Sequence, residues 1–292
     1  MSGPIRLGVA GAGRVFERLY LPALRATPDF ELAAIADPVE ARCALAGPSV
    51  ARFTSLDELL AKASVDALAV LSPPDTHVSA ALLAMARGLP VLVEKPLCNS
   101  MEEVDRLRAH DAERLLTPAL SRRHWPAYRK LARAETVRDL RIAIAVNPHG
   151  WGAHGGSADI AEDLFPHVAD LARWLTSSEI ASLSGRRGAR GVEAQLRMAN
   201  GAAVFARLDH RDSYLEAVRA DGRSRHVGPP AAVESMARRL FRRDDPAVQA
   251  VGLMLEQWRL AIGGNAPARL PRFEDGAATV AAMEQLRAAL AG

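Results

Sequence analysis

Cysteine is nearly absent from this chain of 292 residues: Cys43 and Cys98 are the two present, and they form no CxxC pair. Neither a disulfide framework nor a thiolate zinc site can be assembled from them. Lysine is almost as scarce, since of 37 basic residues only Lys62, Lys95 and Lys130 are lysines. Each therefore invites inspection. No apolar run approaches the roughly 18 residues that a membrane span needs, and the opening MSGPIRLGVAGAG lacks the charged-then-apolar layout of a secretory signal. A cytoplasmic location without a membrane partner is the expectation. A charge excess is missing too: 37 basic against 34 acidic residues give +3, scattered in sign, which argues against a nucleic-acid partner. What remains is 49% hydrophobic and 24% charged, the balance of a folded globular chain long enough for two domains.

The first 120 residues alternate short aliphatic runs with amphipathic stretches, the βαβα order of a parallel sheet covered on both faces. Strands are predicted at Ile5–Ala10, Glu31–Ala36, Ala67–Leu71, Val91–Val93 and Leu115–Ala119, with helices over Val15–Ala26, Ser79–Ala86 and Met101–Ala112. Ser55 with Glu58, and Ser100 with Glu103, fit the reciprocal capping pattern of helix starts. Residues 1–120 thus read as a doubly wound α/β domain of Rossmann type. From 121 to 292 the pattern is α+β, with two hairpin signals, Asn200-Gly201 and Asp221-Gly222, between alternating segments. This second domain, with a mainly antiparallel sheet, looks shortened because few strands can be counted between Leu208 and Pro246. Helical spacing recurs over Asp159–Leu175, Pro246–Ile262 and Gly276–Leu290, while Gly228–Asp245, with two prolines and an arginine cluster, reads as a surface loop or partner contact.

The segment Gly8 to Phe16 lies where a strand turns into a helix, a place where small residues let backbone amides approach a pyrophosphate. Gly11 permits the turn and Gly13 the close approach, with Arg14 and Val15 opening the helix; the third glycine position holds Phe16. Asp37 ends the second strand, where a carboxylate can accept hydrogen bonds from the adenine ribose. Its charge repels a 2′-phosphate, which favours NAD, while Arg42 nearby keeps NADP admissible. Ser72 and Pro73 follow another strand end, where ligands of open α/β sheets bind, and His77 begins the next helix, either capping it or touching the cofactor. Glu94 and Lys95 follow a buried strand, a costly place for charges without a purpose. There Lys95 suits a donor to a substrate oxygen, with Glu94 as its anchor.

The turn GAGR, the run SPPDTH and the run VEKPL, in this order and spacing, resemble the Gfo/Idh/MocA family of nicotinamide-dependent oxidoreductases. Ser121-Arg122-Arg123-His124-Trp125-Pro126 resembles the segment that opens that family's second domain, with Ser121 in place of the usual asparagine. Gly155-Gly156 followed by Asp163 to Asp170 resembles its GG…DxGxHxxD stretch, with Phe165 at the glycine position. The resemblance implies Lys95, Asp163 and His167 as the catalytic set, and Arg123 and Trp151 with Asp163 and His167 against the substrate. It also implies hydride transfer between nicotinamide C4 and a hydroxyl or carbonyl carbon of a sugar, a cyclitol or a related small molecule, and a homodimer as one possible assembly. His167 would act as acid and base; Asp163, four residues before it, shares its helix face. Asp170 reads as a packing residue. Two other readings stand beside this one: a reductase of an imine or double bond in specialised metabolism, and an inactive nucleotide sensor or scaffold, which Phe16 and Phe165 would suit. His149, His154, Asp163 and His167 lie close in sequence but match no compact ligand motif, so no metal is expected. Trp151 between the histidines either stacks on a ring-shaped substrate or fills the core.

Overall fold

The computed structural model describes residues 3–111, 115–132, 137–147, 159–212, 214–226, 245–267 and 269–292. They fall into two compact units, Met1–His124 with Ala247–Ala277, and Trp125–Pro246 with Ala278–Gly292.

The first unit is built on a six-stranded parallel sheet: β1 (Ile5–Ala10), β2 (Phe30–Ala36), β3 (Ala51–Phe53), β4 (Ala67–Val70), β5 (Val91–Glu94) and β6 (Leu116–Ala119), in the order β3-β2-β1-β4-β5-β6. A parallel sheet covered on both faces needs near-continuous apolar strands. The run Ala67–Val70 is buried at every position, as are Val91, Leu92 and Val93. The predicted caps hold: Ser55 accepts from the Glu58 amide at 3.2 Å and Ser100 from the Glu103 amide at 3.3 Å. Helix Pro246–Ile262 returns to this unit and puts Met254, Leu255 and Trp258 into the same core as Leu7, Val9, Phe16 and Ile35. Trp258 stacks on Phe30, ring centroids 5.7 Å apart. Each such large side chain taken out of water contributes about 1.5–3 kcal/mol.

The helix expected over Val15–Ala26 is not uniform. The chain turns helical at Arg14, widens into a π turn over Phe16–Tyr20, and closes as an α-helix over Leu21–Ala26. Both ends of the π turn, Phe16 and Tyr20, are buried, so the wide turn accommodates two large rings where a small residue was to be expected.

The second unit carries β7 (Asp139–Val146), β8 (Ile180–Gly188), β9 (Gly191–Met198), β10 (Ala203–His210), β11 (Leu215–Ala220) and β12 (Arg223–His226), ordered β12-β11-β7-β10-β9-β8. Only the β7–β10 pair is parallel; every other neighbouring pair is antiparallel. Both hairpin signals are turns: Gly201 has φ 84°, and Asp221 and Gly222 have φ 46° and 80°, the left-handed values that tight hairpin turns require. Alternation sets the faces of the sheet. Val192, Ala194, Leu196 and Met198 are buried with Val204, Ala206 and Leu208, while Gln195, Arg197 and Arg207 point outward. The helix Ile160–Thr176 packs over β9 and β10, burying Leu164, Val168, Leu171 and Leu175. Its last turn ends at Ser177 in the left-handed conformation.

Candidate functional site

Strands β1, β4 and β5 are neighbours, so their carboxyl ends deliver Gly11, Ser72 and Lys95 to one edge of the first sheet, beside the point where the strand order reverses. Gly11 has φ 101°, and a Cβ there would stand 2.6 Å from the Ser72 amide nitrogen. Only glycine lets these two turns approach so closely. Beyond it Gly13 is partly exposed, and the helical turn from Arg14 presents its first amides to the edge of the sheet. Arg14 is exposed and Val15 half-buried.

Asp37, at the end of β2, is buried, and its carboxylate grips the glycine turn: Oδ2 accepts from the Ala12 amide at 2.9 Å and Oδ1 from the Val39 amide at 2.8 Å. Arg42 lies 3.8 Å from Oδ1. Each carboxylate oxygen has a second lone-pair site, so Asp37 can still accept from a ribose hydroxyl. A turn that a Cβ would fill, the helix start beyond it and this carboxylate form a cradle that fits a dinucleotide.

His77 spends both ring nitrogens on backbone. Nδ1 lies 2.8 Å from the Pro96 carbonyl and Nε2 2.8 Å from the Ser72 carbonyl, so the ring joins the loop after β4 to the loop after β5. Burial holds its pKa below the ordinary imidazole value despite these acceptors. These contacts do not cap the helix that His77 begins, and the imidazole shapes the edge through the loops that it joins. Ser72 is also tied within its loop, its hydroxyl 2.6 Å from that of Thr76, while Pro73 is exposed.

Lys95 follows β5 directly, half-buried, before a cis peptide to Pro96. Glu94 beside it is fixed at both oxygens: Oε1 accepts from the Tyr20 hydroxyl at 2.8 Å and Oε2 from the Lys95 amide at 3.0 Å. The sequence reading named Glu94 but missed Tyr20, whose only signal was scarcity, since the chain has three tyrosines.

In the second unit Asp163 and His167 lie on the helix Ile160–Thr176, Asp163 half-buried and His167 buried. The start of that helix is held twice. Asp159 caps it by accepting from the Ala161 amide at 3.0 Å and pairs with Arg187, and Glu162 takes both an Nε and an NH2 contact from Arg287, at 2.7 and 2.6 Å. Although burial pushes Asp159 up, the Arg187 pair and the Ala161 amide outweigh it and leave its pKa lowered. Phe165 and Phe16 are wholly buried core residues, and the helix runs through Phe165 without a break. Asp170 is buried as well.

Arg123 is buried and bonds to Asp275 at 3.0 and 3.3 Å within the first unit. Trp151, His149, His154, Gly155, Gly156 and nearly all of Gly228–Asp245 lie outside the described residues. Among the described residues no group of three His, Cys, Asp or Glu is placed to hold a metal, and no helix is long and apolar enough to cross a membrane.

The sheet order and the glycine cradle define a dinucleotide-binding α/β unit. Residues 5–117 match the family profile GFO_IDH_MocA, described as an oxidoreductase family with an NAD-binding Rossmann fold. It is 34% identical over 187 residues to the rhizopine catabolism protein MocA of Rhizobium meliloti, covering 60% of this chain and 58% of that protein. Over 207 residues it is 28% identical to inositol 2-dehydrogenase 1 of Saccharopolyspora erythraea, covering 67% and 61%. The matched stretch thus spans about three fifths of each of these two relatives. The structure of Lactobacillus casei myo-inositol dehydrogenase in complex with NAD(H) and myo-inositol superposes with a TM-score of 0.79 over 98% of this chain and 94% of that one, at 17% identity, a likeness of fold.

Proposed function

We propose that this protein is a dehydrogenase that uses a nicotinamide dinucleotide, NAD in preference to NADP, to oxidise a secondary hydroxyl of a cyclitol or related polyol, or to reduce the matching ketone. The observation that carries the reading is the edge of the first sheet, where one of only three lysines stands beside a glycine cradle and its loop is fastened to the neighbouring one by His77. An ammonium held there supplies a proton donor next to a dinucleotide site. The name of one relative, inositol 2-dehydrogenase, supports the polyol class.

A bound nicotinamide supplies the hydride acceptor at C4. The chain's own residues handle the oxygen. Lys95 donates to the substrate hydroxyl and stabilises negative charge as it builds, and His167 takes the hydroxyl proton. Asp163, one helical turn earlier, orients the imidazole or bonds a neighbouring hydroxyl. In reduction, His167 returns the proton to the same oxygen. The cofactor preference follows from Asp37, whose buried carboxylate repels a 2′-phosphate. Phe16 and Phe165 are both wholly buried core residues.

The test is a panel of inositols, sugars and sugar acids with NAD and with NADP, read by formation of the reduced cofactor. A cyclitol or polyol should turn over with higher kcat/KM for NAD. His167→Ala and Lys95→Ala should each lower kcat by about 10²–10⁴-fold, the usual worth of a proton-transfer or charge-stabilising group. Undiminished turnover in either variant removes that residue from the mechanism.

A further inference from the structure

Tyr20 has no place in the chemistry above, yet it is wholly buried and spends its hydroxyl on the carboxylate next to Lys95. Its position is unusual. It ends the π turn that begins at Phe16, one helical step beyond the glycine cradle, and the widened turn lets the ring descend through the core to the end of β5. The carboxylate that it meets has its other oxygen on the Lys95 amide. Glu94 is thus fixed between a phenol on the cofactor-cradle helix and the backbone that carries the lysine.

We infer that Tyr20 is a positioning residue for Lys95, acting through Glu94. The inference rests on the reading of Lys95 as the donor to the substrate oxygen. Each hydrogen bond to a carboxylate narrows the range of its terminal torsion. With the Tyr20 hydroxyl in place, Glu94 presents a fixed acceptor to the Lys95 amide and so fixes where the lysine leaves the strand. The hydroxyl is suited to be a permanent donor: burial first, and then the Glu94 carboxylate, hold its pKa well above the ordinary phenol value. The link also joins the two halves of the first unit's site, since through it the helix that starts at the glycine turn reaches the end of the strand that bears Lys95.

The test compares Tyr20→Phe with Tyr214→Phe, which removes a hydroxyl from the other tyrosine-bound carboxylate, Glu216. The first readout needs no substrate: amide exchange at Lys95 should speed up about ten-fold in Tyr20→Phe, the kinetic equivalent of one modest hydrogen bond. Exchange at Leu92 and Val93, and at Lys95 in Tyr214→Phe, should not change. The second readout is a cycle with Lys95→Gln, assayed with the polyol that the panel selects. Tyr20→Phe should lower kcat about ten-fold with NADH affinity unchanged, and should add less than about two-fold in the Lys95→Gln background, as two residues acting as one unit require. An unchanged Lys95 amide in Tyr20→Phe overturns the inference, as does an equal kcat loss in both backgrounds, and each leaves the Lys95 reading standing. Full activity in Lys95→Gln, or no polyol turned over by the native chain, removes that reading and the inference with it. Circular dichroism and NADH binding by Tyr20→Phe establish that the variant is folded. A variant that loses both is replaced by Glu94→Gln, in which faster exchange at the Lys95 amide and a kcat loss confined to the Lys95 background support the inference, and their absence overturns it.

Discussion

Glu94 in the first unit and Glu216 in the second consume all three tyrosines of the chain, and they use them differently. Glu94 takes one phenol and one backbone amide, at the open end of a strand. Glu216, inside β11 and 0% exposed, takes two phenols, Tyr128 at 2.5 Å and Tyr214. The contrast extends to the neighbours. In the first unit Asp37 and His77 also spend themselves on loop backbone, whereas in the second Glu162 pairs with the guanidinium of Arg287, and Asp159, which also caps its own helix, with that of Arg187. Polar groups that grip loop backbone fix the shape of loops, and those that grip side chains fix the seating of one element on another. Loop shape is therefore what the first unit has to offer a ligand, and helix position is what the second has.

If loop shape matters that much in the first unit, the greatest change is expected at Gly11. Gly11→Ala places a methyl 2.6 Å from the Ser72 amide nitrogen on backbone that also has φ 101°. NADH affinity, measured by calorimetric titration, should fall by at least about 100-fold as the two turns are forced apart, a cost of roughly 3 kcal/mol or more. Affinity within a few-fold of native would show that the loop shape is dispensable. Next in size is Tyr128→Phe, which leaves the buried Glu216 carboxylate short of a donor. It should lower unfolding stability by about 1–3 kcal/mol in a denaturant titration with little change in NADH affinity; a large affinity loss would dissolve the division between the units.

A smaller change is expected at His77. Burial keeps its folded pKa below the usual imidazole value, so as pH falls below about 6.5 the unfolded chain binds a proton that the folded chain does not. The His77 contribution is complete above that pH and is lost as pH falls toward the lower folded value. Unfolding stability followed from about pH 7.5 to pH 5 should fall less steeply in His77→Gln than in the native chain. Parallel slopes would mean that protonation of His77 does not favour the unfolded chain.

Much of the first unit was legible because a parallel sheet leaves a strong trace: buried apolar runs such as Val91–Val93, capping residues at Ser55 and Ser100, and glycine where a turn needs a positive φ. The hairpins at Gly201 and Gly222 were legible for the same reason. Three features were not. The edge strand Ala51–Phe53 is three residues long and carries no period. The return of Ala247–Ala277 to the first unit depends on contacts such as Trp258 on Phe30, more than two hundred residues apart, which no local pattern encodes. The π turn begins at Phe16, where the motif led one to look for a small residue, and ends at Tyr20, which bonds to Glu94; a substitution in a motif does not say how the backbone absorbs it. Among site residues, sequence found the loops around Gly11, Ser72 and Lys95 and named Asp37, His77 and Glu94 beside them, but it did not find Tyr20 or the backbone contacts by which these side chains hold the loops.

The proposed chemistry requires Lys95 and His167 to serve one oxygen. A crystal structure of the protein with NAD and the polyol it turns over would reveal whether they do. Lys95 Nζ and an imidazole nitrogen of His167 should both lie within about 3.2 Å of the same substrate hydroxyl, with that carbon's hydrogen facing nicotinamide C4. Lys95 and His167 reaching different hydroxyls, or a substrate carbon turned away from the nicotinamide, would refute the shared-oxygen mechanism.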